Sequence, residues 1–79
     1  MVQITVRYFA MLREQRGVES EVIEVPPGLS LREIYHRIFP PGVHEPIPVA
    51  FVRNRAAAPP DTEVEVGDEV AFLPPLGGG

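Results

Sequence analysis

Ser30-Leu31-Arg32-Glu33 constrains the fold more than any other part of the chain, because a serine followed three residues later by glutamate can satisfy two amides that a helix start leaves open. The Ser30 hydroxyl is expected to accept from the Glu33 amide, and the Glu33 carboxylate to reach back to the Ser30 amide. Behind this start, Leu31, Ile34, Tyr35 and Ile38 fall at i, i+3, i+4 and i+7, one apolar stripe opposite Arg32, Glu33 and Arg37. Pro40-Pro41-Gly42 then stops the helix.

The segments on either side read as strands. Val2, Ile4, Val6 and Tyr8 recur at period two against Gln3, Thr5 and Arg7, a half-buried strand. Phe9 to Gln15 breaks that alternation with good helix formers before Gly17, which predicts a short helix or helical turn. Glu19 to Val25 is a second strand, with Ile23 and Val25 rather than Val22 as its buried face, and Gly17 to Glu19 turns the chain into it. Pro26-Pro27-Gly28 ends it. After a loop with His44 and Pro46, Ile47 to Val52 is a nearly continuous apolar run and a third strand, with Pro48 at its start or on an unpaired edge. Asn54-Arg55 can turn the chain. Ala56 to Pro60 lacks a pattern, so the next short strand is expected at Glu63-Val64-Glu65. Gly67-Asp68 makes another turn, Glu69 to Leu73 is the last strand, and Pro74-Pro75 stops further pairing because neither offers an N–H.

Seventy-nine residues bound the chain to one small core, expected over residues 1–75 with a tail at 76–79. Without cysteine there is no disulfide, iron–sulfur cluster or cysteine-ligated zinc. Acids number 11 against seven basic residues, all of them arginine, for a formal charge of −4; a net acidic chain repels phosphate backbones, so no nucleic-acid partner is expected. No apolar run approaches a membrane span, and the alternating start reads as neither signal peptide nor anchor, so no membrane partner and a cytoplasmic location are expected. The ten prolines and the arginine bias suit a heat-stable protein or reflect genome composition.

The last strand runs straight into Leu76 and Gly77-Gly78-Gly79. Glycine has no Cβ, so such a run is an extended thread that can enter a narrow channel in another protein, which suggests a carrier. The bland alternative is a frayed end or a linker scar. From Pro74 to Gly79 the thread spans about 20 Å at roughly 3.3–3.6 Å per residue.

Two hairpin-linked strands, a crossing helix, a further strand and a final returning strand describe an α+β fold: a mixed four- to five-stranded sheet with one main helix, the ubiquitin-like β-grasp. Within that frame, Gly67-Asp68-Glu69-Val70-Ala71-Phe72-Leu73-Pro74-Pro75-Leu76 with Gly78-Gly79 resembles the C-terminal signature of the MoaD family, the small sulfur-carrying subunit of molybdopterin synthase. Val6-Arg7-Tyr8-Phe9-Ala10-Met11-Leu12-Arg13-Glu14 and Val52-Arg53-Asn54 are similar to it as well, so the resemblance spans essentially the whole chain. Gly77 departs from many family members, which carry another residue there.

The resemblance implies a carrier that is not catalytic alone and binds no cofactor itself. Its partners would be a ubiquitin-activating-type adenylyltransferase using ATP and Mg, a sulfur donor protein, and the large synthase subunit in a heterotetramer. Gly79 would be adenylated, converted to a thiocarboxylate and used to thiolate a pyranopterin precursor, with Gly78 as its spacer. A free carboxylate, with a pKa of about 3.5, is ionised and a poor electrophile until so activated. Phe72, Leu73, Pro74, Pro75, Leu76, Gly77 and Arg7 are the expected partner-binding residues. Simple core packing competes for Phe72.

Other candidates carry less. His36 and His44 have no third ligand at metal spacing, so no metal site is expected. Ser20 and Ser30 lack a His–Asp arrangement, and no phosphate-cradling glycine loop with lysine exists. Glu19, Glu21, Glu24, Glu63, Glu65, Asp68 and Glu69 read first as a solvated face, or as groups that meet basic partner surfaces. Two other functions stay open: a related carrier for thiamine synthesis or transfer-RNA thiolation, and a ubiquitin-like modifier or interaction domain. The absence of lysine means that no copy of the chain could accept another through a side-chain isopeptide bond.

Overall fold

A computed structural model describes residues 1–40 and 49–75. Strands β1 (Val2–Tyr8), β2 (Ser20–Val25), β3 (Ala50–Arg53), β4 (Ala56–Ala57) and β5 (Glu69–Leu73) form one sheet in the order β2-β1-β5-β3-β4. The helices are α1 (Ala10–Arg16) and α2 (Leu31–Ile38). β1 runs parallel to β5, pairing Thr5 with Glu69 and Tyr8 with Phe72, and the other neighbours are antiparallel. This is the β-grasp arrangement expected from the element order.

The alternation of β1 decides where the core lies. Ile4, Val6 and Tyr8 are buried, and on the same side Val25, Val70 and Phe72 meet Leu31, Ile34 and Tyr35 of α2. The helix begins as the sequence predicts: Ser30 Oγ accepts from the Glu33 amide at 3.1 Å and Glu33 Oε1 from the Ser30 amide at 3.0 Å. At its other end Tyr35 sits edge-on to Phe72 at 5.1 Å and to Phe51 at 6.2 Å between ring centroids, and Phe39 edge-on to Tyr8 at 6.0 Å. Such pairs add about 0.5–1.5 kcal/mol each beyond the area they bury. On β2, Val25 is buried, Ile23 packs on the core and Val22 is exposed, the face the pattern favoured. α1 buries only Leu12 and ends at Gly17, whose φ of 83° and amide bond to the Arg13 carbonyl make the left-handed cap expected there.

Two expectations need correction. The short strand is Ala56–Ala57, not Glu63-Val64-Glu65. Asn54 and Arg55 both take positive φ, 51° and 68°, the geometry of a two-residue hairpin turn, and this folds Ala56 and Ala57 back onto Arg53 and Val52. The Glu63 segment makes one bridge, to Ser30, and its neighbours bond the start of α2 through Leu31 N to Thr62 O and Val64 N to Leu29 O. It buttresses the helix instead of extending the sheet. The third strand covers Ala50–Arg53, later than Ile47–Val52; Ile47 and Pro48, like the loop with His44 and Pro46, lie outside the described residues. Among the described residues no helix is long and apolar enough to cross a membrane.

Candidate functional site

α2 covers one side of the sheet. On the other side the remaining residues of the central strands come together: Thr5 and Arg7 from β1, Glu69, Ala71 and Leu73 from β5, Ala50 and Val52 from β3, in register across the pairs Arg7–Ala71, Val52–Ala71 and Ala50–Leu73. Arg7, Phe9, Val52, Arg55, Glu69, Ala71 and Leu73 line a shallow groove of about 240 Å³ on this open face. Its floor is apolar. Phe9 and Leu73 are 39% and 38% exposed, a high value for large apolar side chains. Arg7 and Arg55 both reach Glu69, at 3.7 Å each, so a carboxylate between two guanidiniums closes one end.

Arg7 and Leu73 both lie on this open face. Phe72 does not, for its side chain is fully buried beneath α2, and core packing takes it out of any docking surface. Period two makes this unavoidable: with Leu73 outward, Phe72 must point inward. Pro74 is buried and Pro75 exposed, so the in-and-out alternation at the end of β5 continues through both prolines. Leu76, Gly77, Gly78 and Gly79 lie outside the described residues.

The sequence singles out none of Phe9, Val52, Ala71 and Arg55 as site residues, and Glu69 reads there as solvated or as meeting a basic surface, whereas it sits between Arg7 and Arg55 of its own chain. Phe9 was assigned to the first helix, but it remains extended at φ −132° and ψ 150°, and its odd position puts it on the face of Arg7. Carrying the alternation of β1 one residue further would have found it. Immediately after it Ala10 takes φ 51°, a left-handed turn that costs an alanine about 1–2 kcal/mol.

A buried polar knot fixes the root of β5. Asp68, 6% exposed, accepts from Arg53 Nε at 2.6 Å, Asn54 Nδ2 at 3.1 Å and the Glu65 amide at 2.7 Å. Asn54 also exchanges bonds with Glu69, its Oδ1 accepting the Glu69 amide at 2.9 Å and its own amide bonding the Glu69 carbonyl at 2.7 Å. Burial pushes the Asp68 carboxyl up, but the donors from Arg53, Glu65 and Asn54 together outweigh it and hold the group below the usual aspartate range. A second knot joins Glu21 to Arg16 Nε and the Tyr8 hydroxyl, each at 2.6 Å. Arg16 holds the Glu21 carboxyl low, and burial followed by the Glu21 bond drives the Tyr8 phenol up. The carboxylates at 21 and 68 are therefore both engaged in bonds within the fold rather than lying on a solvated face.

The model of the ThiS family matches residues 6–79. The chain belongs to the ThiS family. Its resemblance to the MoaD branch is carried by a full-length relative, the molybdopterin synthase sulfur carrier subunit of Chlamydomonas reinhardtii, 35% identical over 85 residues that cover 99% of this chain and all of that one. Among solved structures, a Pyrococcus furiosus protein assigned as molybdopterin converting factor subunit 1 superposes with a TM-score of 0.80 at 29% identity, covering 96% of this ThiS-family chain and 100% of its own. A Helicobacter pylori complex of subunits 1 and 2 of molybdopterin-converting factor matches at a TM-score of 0.59 and 20% identity over 99% of this chain and 100% of that one, a likeness of fold.

Proposed function

We propose that this chain is the sulfur carrier subunit of a molybdopterin synthase, with Gly79 as the residue that carries the sulfur. The observation that supports this most is the full-length match to a sulfur carrier subunit of that synthase. The architecture is compatible with it: the last strand ends at Leu73, just before Pro74-Pro75 and the glycines of the sequence, and the floor of the groove lined by Leu73 is apolar.

In the proposed sequence, an oxygen of the Gly79 carboxylate attacks the α-phosphate of Mg-ATP in a ubiquitin-activating-type partner and pyrophosphate leaves. The outer sulfur of a donor protein's persulfide then displaces AMP at the same carbonyl to give an acyl disulfide, and a second thiol cleaves its S–S bond, leaving the thiocarboxylate and a disulfide on the donor side. Gly78 lets the thread pass through a channel too narrow for a side chain. The open face, through Phe9, Arg7, Ala71 and Leu73, docks on the large subunit, and the tail delivers its sulfur to a pyranopterin precursor there. Acid and base groups for that step belong to the partners.

Incubation with the cognate activating enzyme, Mg-ATP and a sulfur source should raise the intact mass by the exchange of one oxygen for sulfur, with the change confined to the C-terminal peptide. Deleting Gly79 should abolish loading and leave the circular dichroism spectrum intact; loading that persisted would sink the assignment of the reacting group. A carrier for thiazole synthesis is also compatible with the ThiS match, and it would be captured by a thiazole synthase rather than by a pterin-processing large subunit.

A further inference from the structure

We infer that the arginine-only surface around the tail exit protects the activated C-terminus from capture by its own carrier. The inference rests on the reading that Gly79 passes through an activated acyl state. Such an acyl group reacts with an unprotonated amine to form a stable amide, expelling AMP or a thiol. An isopeptide of this kind would end the carrier's working life.

The tail leaves the sheet at a definite pole. Because β1 and β5 are parallel, Tyr8 and Phe72 mark one end of the sheet, and α1 follows Tyr8 directly. The C-terminal turn of α2 reaches the same end, since Phe39 packs on Tyr8 and Tyr35 on Phe72. Arg7, Arg13, Arg16 and Arg37 therefore all stand at the pole from which the tail departs, and each of them is exposed. From Leu73 the six residues Pro74 to Gly79 span about 20 Å, enough to return to any of them.

A lysine at one of these positions would face the acyl carbon at roughly millimolar effective concentration, far above the micromolar level at which a separate partner competes. With a pKa near 10.4 its ammonium supplies some free amine at every neutral pH. A guanidinium stays protonated and delocalised and supplies none. The sequence holds the positive charge that the fold needs, in the pairs Arg13–Glu19 and Arg16–Glu21, without a single ε-amine. The exposed His36 imidazole would give only an acyl-imidazole, which returns the group to water. The α-amine of Met1 stands at the opposite end of β1, about 23 Å away at roughly 3.3 Å per residue, beyond the thread.

The test uses the full chain as a chemically prepared Gly79 thioester, held at low micromolar concentration and pH 8, and read by intact mass and peptide mapping. The natural sequence should lose its thiol only to water and give the free acid. Arg13→Lys and Arg37→Lys should instead yield a product one water lighter than the acid, with Gly79 joined to position 13 or 37. The distant α-amine of Met1 is the internal control and should stay free in every variant. Closed product from the natural sequence, hydrolysis alone from both Arg13→Lys and Arg37→Lys, or closure onto Met1 would overturn the inference. The thioester bypasses enzymatic activation, so a failure here is distinct from a failure of sulfur loading.

Discussion

Single residues hold the root of β5, and Asp68 matters most among them. Removing its carboxylate in Asp68→Ala leaves Arg53 Nε, Asn54 Nδ2 and the Glu65 amide without that acceptor, while Arg53 Nη2 keeps Glu65 at 3.3 Å, which should cost about 2–3 kcal/mol by urea denaturation. The pH dependence follows from the direction of its shift. Its folded pKa lies below the unfolded value of 3.8, so its contribution is fully present above that value and is lost as pH falls through the folded pKa. Glu21, held below 4.5, adds in the same sense. The urea midpoint should therefore be flat near neutrality and fall below about pH 4, with a smaller fall in Asp68→Asn. A midpoint that rose on acidification would contradict the knot. At Ala10 the opposite substitution is informative: Ala10→Gly should raise stability by about 0.5–1 kcal/mol, because glycine takes φ 51° without the Cβ clash.

Elements show how two patterns divide the chain. Ser30→Ala removes one half of the capping box and should cost about 1 kcal/mol, read from the thermal midpoint. On β5 neighbouring residues should separate by period two. Phe72→Ala empties a fully buried site and should cost about 3–5 kcal/mol, whereas Leu73→Asp should cost little in stability and weaken large-subunit binding at least tenfold by calorimetry. Equal effects at both positions would refute the two-faced reading of the strand. Much of this was legible beforehand. The i, i+3, i+4, i+7 stripe of α2, the even positions of β1 and the Gly17 stop each follow from local rules that tertiary packing here reinforces. Phe72 was ambiguous because a sequence gives the period of a strand without saying which phase meets the helix. The turn at Asn54-Arg55 was legible, but the strand after it at Ala56–Ala57 was not, because alanine carries no strand signal and the pairing follows from positive φ at both turn residues. Glu63 to Glu65 had the right alternation, yet its backbone partners lie at the start of α2, a contact between distant segments that no local window contains.

For the whole molecule, a small cysteine-free body keeps one face of its sheet under α2 and leaves the other open beside the exit of a glycine thread. On the proposed function the fold serves as a handle, and Gly79 would present the reactive atom on a segment with no side chains to obstruct its entry elsewhere. A dithiolene contains two sulfur atoms and each carrier would bring one, so the proposed function fixes a stoichiometry as well as a role. The direct measurement is a single-turnover reaction of thiocarboxylated protein with the large subunit and the cyclic pyranopterin precursor, following the carrier by intact mass and the pterin by its product. Two thiocarboxylates should revert to carboxylate for each dithiolene formed, and protein lacking Gly79 should yield none. Dithiolene formed without loss of carrier sulfur, or formed equally by the Gly79 deletion, would contradict the account.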